Sequence, residues 1–203
     1  MREDSRESRR EEIERAAYEV LAERGFAGTS MLLVARRARA SNETLYRWYG
    51  DKQGLFRALI ERNATEVRVL LEGDMEGAAD PLETLAALGP RLLDLLLGER
   101  AVALARAAAA DGSGELGKVL AREGRGQVMP LVERVFARAH ALGALDCPDA
   151  AEAAALWLAL LVGDLQIRRA IGAIGQPAPD ETARRAERAL AIMLELSGRG
   201  RIG

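Results

Sequence analysis

Two helix-start signals near the N-terminus of this 203-residue chain lie so close together that the helices they begin must be short. Thr29 or Ser30 can cap one helix that reaches Ala38, and Ser41 or Asn42 can cap the next. The side-chain oxygens of such residues accept hydrogen bonds from the free N–H groups of a first helical turn. Two short helices joined by a tight turn form a helix-turn-helix pattern, so we expect a compact helical unit here.

Apolar residues at helical spacing continue on both sides of this pattern. Ile13, Ala16, Ala17, Val20 and Leu21 recur at i, i+3, i+4, i+7 and i+8, which places them on one face of a helix. Further helices are expected at about 81–97, 99–110, 115–142, 149–171 and 180–196, and the proline at position 130 should kink the third of these because it lacks a backbone donor. No β-type alternation stands out, so the chain is predicted to be all-α.

Basic residues concentrate around the two short helices, in a chain whose formal net charge is −2. Two acidic residues, Glu43 and Asp51, lie between positions 24 and 52, and the six basic residues of the same span are Arg24, Arg36, Arg37, Arg39, Arg47 and Lys52. A compact basic patch is typical of a protein that binds a polyanion. The alternative is a solvated helical face without a partner, and charge alone favours that alternative.

The second short helix, at about 42–49, carries aromatic residues among polar ones. The side chains expected to face outward from it are Asn42, Glu43, Thr44, Tyr46, Arg47 and Trp48. Such a helix can enter a DNA major groove, with its first residues at base edges and its flanks on phosphates. Tyr hydroxyl and Trp N–H groups can donate to phosphate oxygens while their rings pack.

The segments ERGFAGTS and VARRARASNETLYRWYGDKQGLF resemble the N-terminal signature of the TetR/AcrR family of transcriptional regulators. The resemblance runs from about Ile13 to Leu59. The residues that fall in register with the family pattern are Gly25, Thr29, Ala35, Ala38, Ser41, Thr44, Leu45, Tyr46, Lys52 and Leu55.

This resemblance implies roles for residues of the second short helix. Thr44 and Tyr46 match positions that commonly contact DNA in the family. Asn42, Glu43 and Arg47 match variable positions where the operator sequence is usually read. A glutamate such as Glu43 can accept a hydrogen bond from cytosine N4, although it can also simply support its helix.

The resemblance also implies phosphate contacts at two helix starts. Lys52 matches a lysine that opens the fourth helix, where positive charge and free N–H groups favour phosphate, and Thr29 or Ser30 plays the same part at the second helix. Packing of the small domain remains the alternative role for Tyr46, and packing against the first helix remains the alternative for Trp48.

Two departures from the family pattern bear on these roles. Arg39 occupies the turn position where the family usually has glycine, and a left-handed conformation costs about 1–2 kcal/mol for a residue with a Cβ. We interpret Arg39 as tolerated strain that a phosphate contact offsets. Leu32 and Leu33 lie on a face that is often polar in the family, which favours contact with a thymine methyl group or with the effector domain.

The resemblance further implies the domain plan. A three-helix DNA-binding domain with its N-terminal arm would occupy residues 1–52, and a larger helical domain for ligand binding and dimerisation would occupy 53–203. Helix 52–72 would connect them, giving about nine helices in all. The last two long helices would form a four-helix bundle with a second subunit, or alternatively complete the monomer core. The residues expected at the dimer interface are Ala155, Ala159, Gly163, Ile167, Leu190 and Leu194.

The C-terminal part carries no DNA signature, and the family uses such a domain for a small-molecule pocket. The candidate pocket residues, chosen by helical position, are Met129, Phe136, His140 and Trp157. Plain core packing is the alternative for each of the four residues. The single His140 and the single Cys147 make neither a convincing metal site nor a catalytic triad, so we expect no enzyme activity, no metal and no cofactor.

The expected function follows from these points. The chain should be a cytoplasmic, homodimeric repressor that binds a palindromic double-stranded DNA operator and responds to an unidentified small-molecule effector. A membrane role is not expected, because no apolar run reaches the ~18–20 residues that span a bilayer. The alternatives are a regulator that acts as an activator without a small ligand, and an all-helical binding protein that has lost DNA binding.

Overall fold

The structure, a computed structural model, describes residues 2–75 and 80–199. Those residues are predominantly helical and include no strand, which confirms the all-α class. The α-helices are α1 (Arg2–Gly28), α2 (Met31–Arg37), α3 (Asn42–Tyr49), α4 (Lys52–Met75), α5 (Pro81–Leu97), α6 (Glu99–Ala110), α7 (Glu115–Leu120), α8 (Gly126–Ala141), α9 (Ala150–Val162), α10 (Leu165–Ala170) and α11 (Pro179–Arg199). None of the described helices is long and apolar enough to cross a membrane.

Two of the long helices expected from the sequence are divided. A π-helical turn at Ala121–Arg125 separates α7 from α8, so the irregular turn precedes Pro130 instead of coinciding with it. Pro130 lacks the N–H that would bond the carbonyl of Gly126, and the α-helical pattern restarts at that glycine. The second break follows α9, where Gly163 has φ +52°, a backbone conformation that favours glycine.

The chain folds as two compact units whose bounds differ from the domain limits expected from the sequence. Unit 1 comprises Met1–Asn63 and Ala103–Glu123, and unit 2 comprises Ala64–Val102 and Gly124–Gly203. The expected limit at residue 52 falls inside unit 1. The physical reason is packing, because apolar residues of α6 and α7 join the core that α1 to α4 form; they are Leu104, Ala107, Leu116 and Val119.

The core of unit 1 gathers the apolar stripe of α1 with branched and aromatic residues of the next three helices. Its fully buried members include Ile13, Val34, Leu45 and Phe56. Within α3, all of which is described, only Leu45 is buried. The rest of α3 therefore lies at or near the surface, held by a single apolar anchor.

Side-chain caps fix where the helices of this region begin. Ser30, Ser41 and Asp51 each accept a hydrogen bond from the backbone N–H three residues further on, at 3.3, 3.0 and 2.7 Å. The caps of α2 and α3 are thus Ser30 instead of Thr29 and Ser41 instead of Asn42. The helix starts expected from the sequence are confirmed, because a cap acts within a single turn.

Unit 2 is a helical bundle in which α5, α8, α9 and α11 share one core. Its fully buried side chains include Leu88, Leu92, Val132, Phe136 and Trp157. The two aromatic rings contribute the largest apolar areas to this core, so they anchor α8 and α9 against each other.

Candidate DNA-binding interface

The start of α2 presents one exposed hydroxyl group, although the sequence offered two candidates. Ser30 is exposed and caps the helix. Thr29 is buried, and its hydroxyl donates to the carbonyl oxygen of Gly25 at 2.8 Å. Thr29 therefore holds the end of α1 in place, and Ser30 is the residue at this helix start that a phosphate can reach.

The turn between α2 and α3 follows a Schellman motif, in which a left-handed residue follows the helix. Arg39 is that residue, with φ +51°. The N–H groups of Arg39 and Ala40 bond the carbonyls of Arg36 and Ala35 at 3.2 and 2.9 Å. The left-handed turn expected from the sequence is confirmed, and its bonds offset a strain of about 1–2 kcal/mol.

Helix α3 exposes the side chains that the sequence predicted would read DNA. Asn42, Glu43 and Arg47 are exposed, and Tyr46 is 50% exposed. The hydroxyl groups of Ser41 and Thr44 lie 2.8 Å apart and bond each other. Thr44 is only half-buried, so its hydroxyl retains access to solvent.

Lys52 opens α4 in contact with an aromatic pair. Its ammonium nitrogen lies 4.1 Å from the centroid of the Phe26 ring, and that ring meets Phe56 edge-on at 4.9 Å. Partial burial lowers the pKa of Lys52 from its ordinary value. The aromatic contact fixes this cation beside the positive end of the helix dipole, where an anion is favoured.

Arg37 is not part of the free basic surface that the sequence suggested. Its guanidinium group donates to Glu23 at 2.8 and 2.7 Å and to Glu19 at 3.2 Å. These bonds raise the pKa of Arg37 and lower the pKa of the Glu23 carboxyl. By contrast, Arg36 and Arg47 are exposed, and neither pairs with an acidic residue in the described part of the chain.

Two arginines that the sequence reasoning passed over lie against the helix-turn-helix. The Arg9 guanidinium donates to the carbonyl oxygen of Arg39 at 2.6 Å. The guanidinium carbon of Arg10 lies 5.9 Å from the centroid of the Trp48 ring. Trp48 therefore packs against α1, which was the alternative role considered for it. The sequence did indicate these arginines, because they lie three and four positions before Ile13 and therefore continue the buried stripe of α1.

The structure brings together only some of the predicted pocket residues. Phe136 and Trp157 are fully buried, with ring centroids 6.2 Å apart. Met129 packs against the same core from a half-buried position. His140 is exposed, and its Nδ1 accepts a hydrogen bond from the backbone N–H of Cys147 at 3.3 Å. Burial raises the pKa of the Cys147 thiol.

Large apolar side chains are exposed on the last helices of unit 2. The exposed fractions are 40% for Leu156, 66% for Ile167, 72% for Ile171 and 41% for Leu194. We call these four residues the apolar surface of unit 2. Apolar patches at a surface often mark sites where proteins associate, and these residues lie on successive helices of one bundle, so this set is a candidate interface.

The predicted dimer residues overlap this surface in part. Ile167 and Leu194 belong to it, Ala159 is exposed, and Ala155 and Leu190 are half-buried. The expectation combined three small residues with three large ones and did not include Leu156 or Ile171. One of these, at position 171, follows Ile167 by a single helical turn, and this spacing was the available signal.

Gly163 has a structural role of its own. It ends α9, and a Cβ added there would lie 2.6 Å from a guanidinium nitrogen of Arg185. The positive φ at position 163 and the close approach of Arg185 within the same unit together explain why a glycine occupies this position.

An exposed α3, capped by Ser41 and preceded by a tight turn, defines the chain as a helix-turn-helix protein with an all-helical second unit. Residues 13–59 match the family described as bacterial regulatory proteins, tetR family. Residues 83–196 match the family described as AefR-like transcriptional repressor, C-terminal domain. The chain belongs to the TetR family of regulators, as the motif resemblance implied.

Individual relatives agree with this assignment. An HTH-type transcriptional repressor of Streptomyces coelicolor is 32% identical over 96 residues, which span 46% of this chain and 50% of that relative. The chain thus matches about half the length of this curated relative. A TetR transcriptional regulator from Agrobacterium tumefaciens is 30% identical, with a TM-score of 0.77 over 93% of this chain and 94% of that one.

A more distant structure shares the fold. The transcriptional regulator FadR of Bacillus subtilis, solved in complex with stearoyl-CoA, is 16% identical. Its TM-score is 0.74, over 90% of this chain and 96% of that chain. This likeness concerns the fold alone.

Proposed function

We propose that the protein represses transcription by binding a palindromic DNA operator as a homodimer, and that a small molecule changes its affinity for DNA. The observation that carries the proposal is the surface of α3, which has one buried anchor, Leu45, and several exposed polar side chains. A short helix with one apolar anchor and a polar outer face suits entry into a major groove.

Base readout in this proposal belongs to the first turn and outer face of α3. Asn42 can bond adenine, Glu43 can accept from cytosine N4, and Arg47 can bond guanine, because these side chains match the groups that the major groove presents. Tyr46, Ser30 and Lys52 would bind phosphates and so fix the register of the helix without reading sequence.

A second copy of the chain is needed for specificity. Helix α3 has 8 residues, so it spans only a few base pairs. A few base pairs do not select one site among the many that a genome offers. The apolar surface of unit 2 gives the copy a place to bind, because burying it would remove large apolar side chains from water. Two-fold symmetry of the protein then implies a palindromic operator.

The effector would bind in unit 2 near Phe136 and Trp157. Within the described residues no group bonds the buried Trp157 Nε1. An unbonded buried N–H costs about 1–3 kcal/mol, so an effector with an acceptor that reaches it would gain that free energy. The effector can release DNA only by binding one dimer conformation more tightly than the other.

DNA binding can be tested by a gel shift with duplex DNA from upstream of the protein's own gene, against an excess of random-sequence duplex. We expect a complex that survives the competitor. Replacing Arg47 by alanine should weaken the surviving complex, whereas replacing Arg188, an exposed cation of unit 2, should leave it intact. Failure of the unaltered protein to bind either duplex at micromolar concentration would contradict DNA binding altogether.

The effector site can be tested by fluorescence, because the chain has only 2 tryptophans. The variant Trp48→Phe retains Trp157 as its single reporter. Stearoyl-CoA, which FadR of Bacillus subtilis holds, is a rational first probe from which to extend to other acyl compounds. A probe that changes this fluorescence and releases DNA supports the site; one that releases DNA while leaving Trp157 unaffected places the effector elsewhere.

A further inference from the structure

The first turns of α1 continue its buried stripe with arginines. Ile13 and the apolar residues that follow it at helical spacing are buried against α2 and α3. Counting backwards with the same spacing reaches Arg10, Arg9 and Arg6. The face of α1 that packs on the helix-turn-helix therefore changes from apolar to cationic towards the N-terminus of the helix.

These arginines contact both parts of the helix-turn-helix. Arg9 donates to the carbonyl of Arg39 in the turn at 2.6 Å, and it also pairs with Glu12. Arg10 lies over the Trp48 ring of α3 at 5.9 Å, within the range of a cation–π contact. Arg9 anchors the segment, and Arg10 places its positive charge on the flank of α3.

The acidic residues of the same segment are held on a different face. Glu7, Glu11 and Glu14 follow one another at i, i+4 and i+7, and all three bond Arg62 of α4, at 2.8, 2.9 and 3.2 Å. Arg62 carries one positive charge against their three negative charges, so it holds these acids on the α4 side of α1 and offsets one of the three charges. Arg6 is exposed and, among the described residues, forms no ion pair. The charge of the segment is thus separated, with cations towards α3 and paired acids towards α4.

The segment lies outside the part of the chain that matches the family, which begins at residue 13. We propose that Arg6 and Arg10 form a second DNA-contacting element, which binds phosphates flanking the bases that α3 reads. The partner is the DNA backbone, because cations beside a helix that enters the groove face the phosphates that border that groove. This inference rests on the proposed DNA binding.

The salt dependence of binding measures such contacts directly. Removing one phosphate-binding cation should lower the slope of log affinity against log salt by about 0.9. The double variant Arg6→Ala/Arg10→Ala removes two cations from each subunit and four from the dimer, so it should lower the slope by about 3.6, on the upstream duplex and on random duplex alike, because phosphates carry no sequence. Fluorescence anisotropy of labelled duplex between about 50 and 200 mM salt provides the slopes.

Arg15→Ala is the matched control. Arg15 is exposed on α1, and nine positions at about 100° each place it on the opposite side of the helix from Arg6. It removes one positive charge per subunit from the same helix but from the opposite face, so it should leave the slope unchanged. Arg10→Lys keeps the charge but changes the contact with Trp48, so it should keep the slope and thereby separate the effect of charge from that of altered packing.

The outcomes separate this inference from the proposed function. Wild-type binding with a slope that the double variant lowers and Arg15→Ala does not would support both. Wild-type binding with equal slopes for the double variant and the control would overturn the second DNA-contacting element alone. No wild-type binding to either duplex would overturn both.

Discussion

The two units of this protein expose different kinds of side chain. In unit 1 most exposed residues around the helix-turn-helix are cations and hydrogen-bonding groups such as Arg36, Tyr46 and Arg47, and the large apolar exception is Leu32, which is 48% exposed. In unit 2 the last helices expose Ile167 and Ile171, whose exposed fractions are 66% and 72%. A polar surface is stable in water without a partner, whereas exposed apolar area carries a cost of about 25 cal/mol per Å² that a partner removes.

The difference indicates two partners of different chemistry. The surface of unit 1 suits a polyanion, because its cations can replace the counterions of a phosphate backbone. The apolar surface of unit 2 suits another apolar surface, and a second copy of the chain supplies one by two-fold symmetry. Substitutions in either unit test this difference, because each one removes a surface property that one of the two partners would recognise.

The largest effect is expected from charging the apolar surface of unit 2. The variant Ile167→Asp/Ile171→Asp should split the dimer, because burying two carboxylates in an interface is unfavourable. Without the second half-site, operator affinity should fall by about 10²–10⁴-fold. Sedimentation measures the oligomeric state, and anisotropy measures the affinity.

Val69→Asp is the control for that variant, because Val69 is 54% exposed but lies on α4. It should remain dimeric. Gly163 is a poor site for this purpose, because a side chain there meets Arg185 within the same unit. An Ile167→Asp/Ile171→Asp protein that sediments as the wild type would place the interface elsewhere.

The next effect concerns base readout by α3. Replacing Asn42, Glu43 or Arg47 by alanine should each cost about 1–3 kcal/mol of discrimination at the base pair that the side chain contacts. Competition by operator duplexes with single base substitutions measures this discrimination. Lys52→Ala is the control and should weaken all duplexes alike. Unchanged discrimination in all three variants would assign specificity to Thr44 or to DNA shape.

A third effect concerns the turn within unit 1. Arg39→Gly should raise the free energy of unfolding by about 1–2 kcal/mol, because glycine has no Cβ to oppose a left-handed conformation. Gly143 occupies the same motif after α8, with φ +68° and nothing within 4 Å of an added Cβ. Gly143→Ala should therefore lower the free energy of unfolding by a similar amount. Urea denaturation measures both changes.

The Arg39→Gly variant also distinguishes the effect of this residue on stability from its effect on DNA binding. If the Arg39 side chain binds a phosphate, Arg39→Gly should be more stable and yet bind DNA more weakly, with a salt slope reduced by about 1.8, because each subunit loses one contact. Higher stability with unchanged affinity would show that the arginine at this turn has no part in DNA contact. No gain in stability would contradict the strain assigned to the turn.

The smallest effect is expected at Lys52. Lys52→Ala should lower the salt slope by about 1.8 on any duplex, because it removes one phosphate contact from each subunit of the dimer. Lys52→Arg should keep most of the slope, since it keeps the charge beside Phe26. Equal slopes for the wild type and Lys52→Ala would remove this residue from the set of phosphate contacts.

The parts of this structure that the sequence predicted are those fixed within one or two turns of chain. Ser30, Ser41 and Asp51 cap their helices with atoms three residues away, so the starts of α2, α3 and α4 were readable. The left-handed turn at Arg39 was readable for the same reason. The motif that spans these residues also identified the family.

The parts that the sequence missed depend on contacts between distant residues. The pairing of Arg37 with Glu19 and Glu23 joins positions 18 and 14 residues apart, so nothing local indicated that this cation is neutralised. The placement of residues 103–123 in unit 1 depends on packing against α1 to α4.

The most direct test of the central claim, that two copies of α3 read DNA together, is the selection of bound sequences from a pool of random duplexes by the wild-type protein. The account predicts enrichment of an inverted repeat whose half-site centres lie about 10–10.5 base pairs apart, or a multiple of that distance. Enrichment of a single asymmetric half-site, or no enrichment at all, would contradict it.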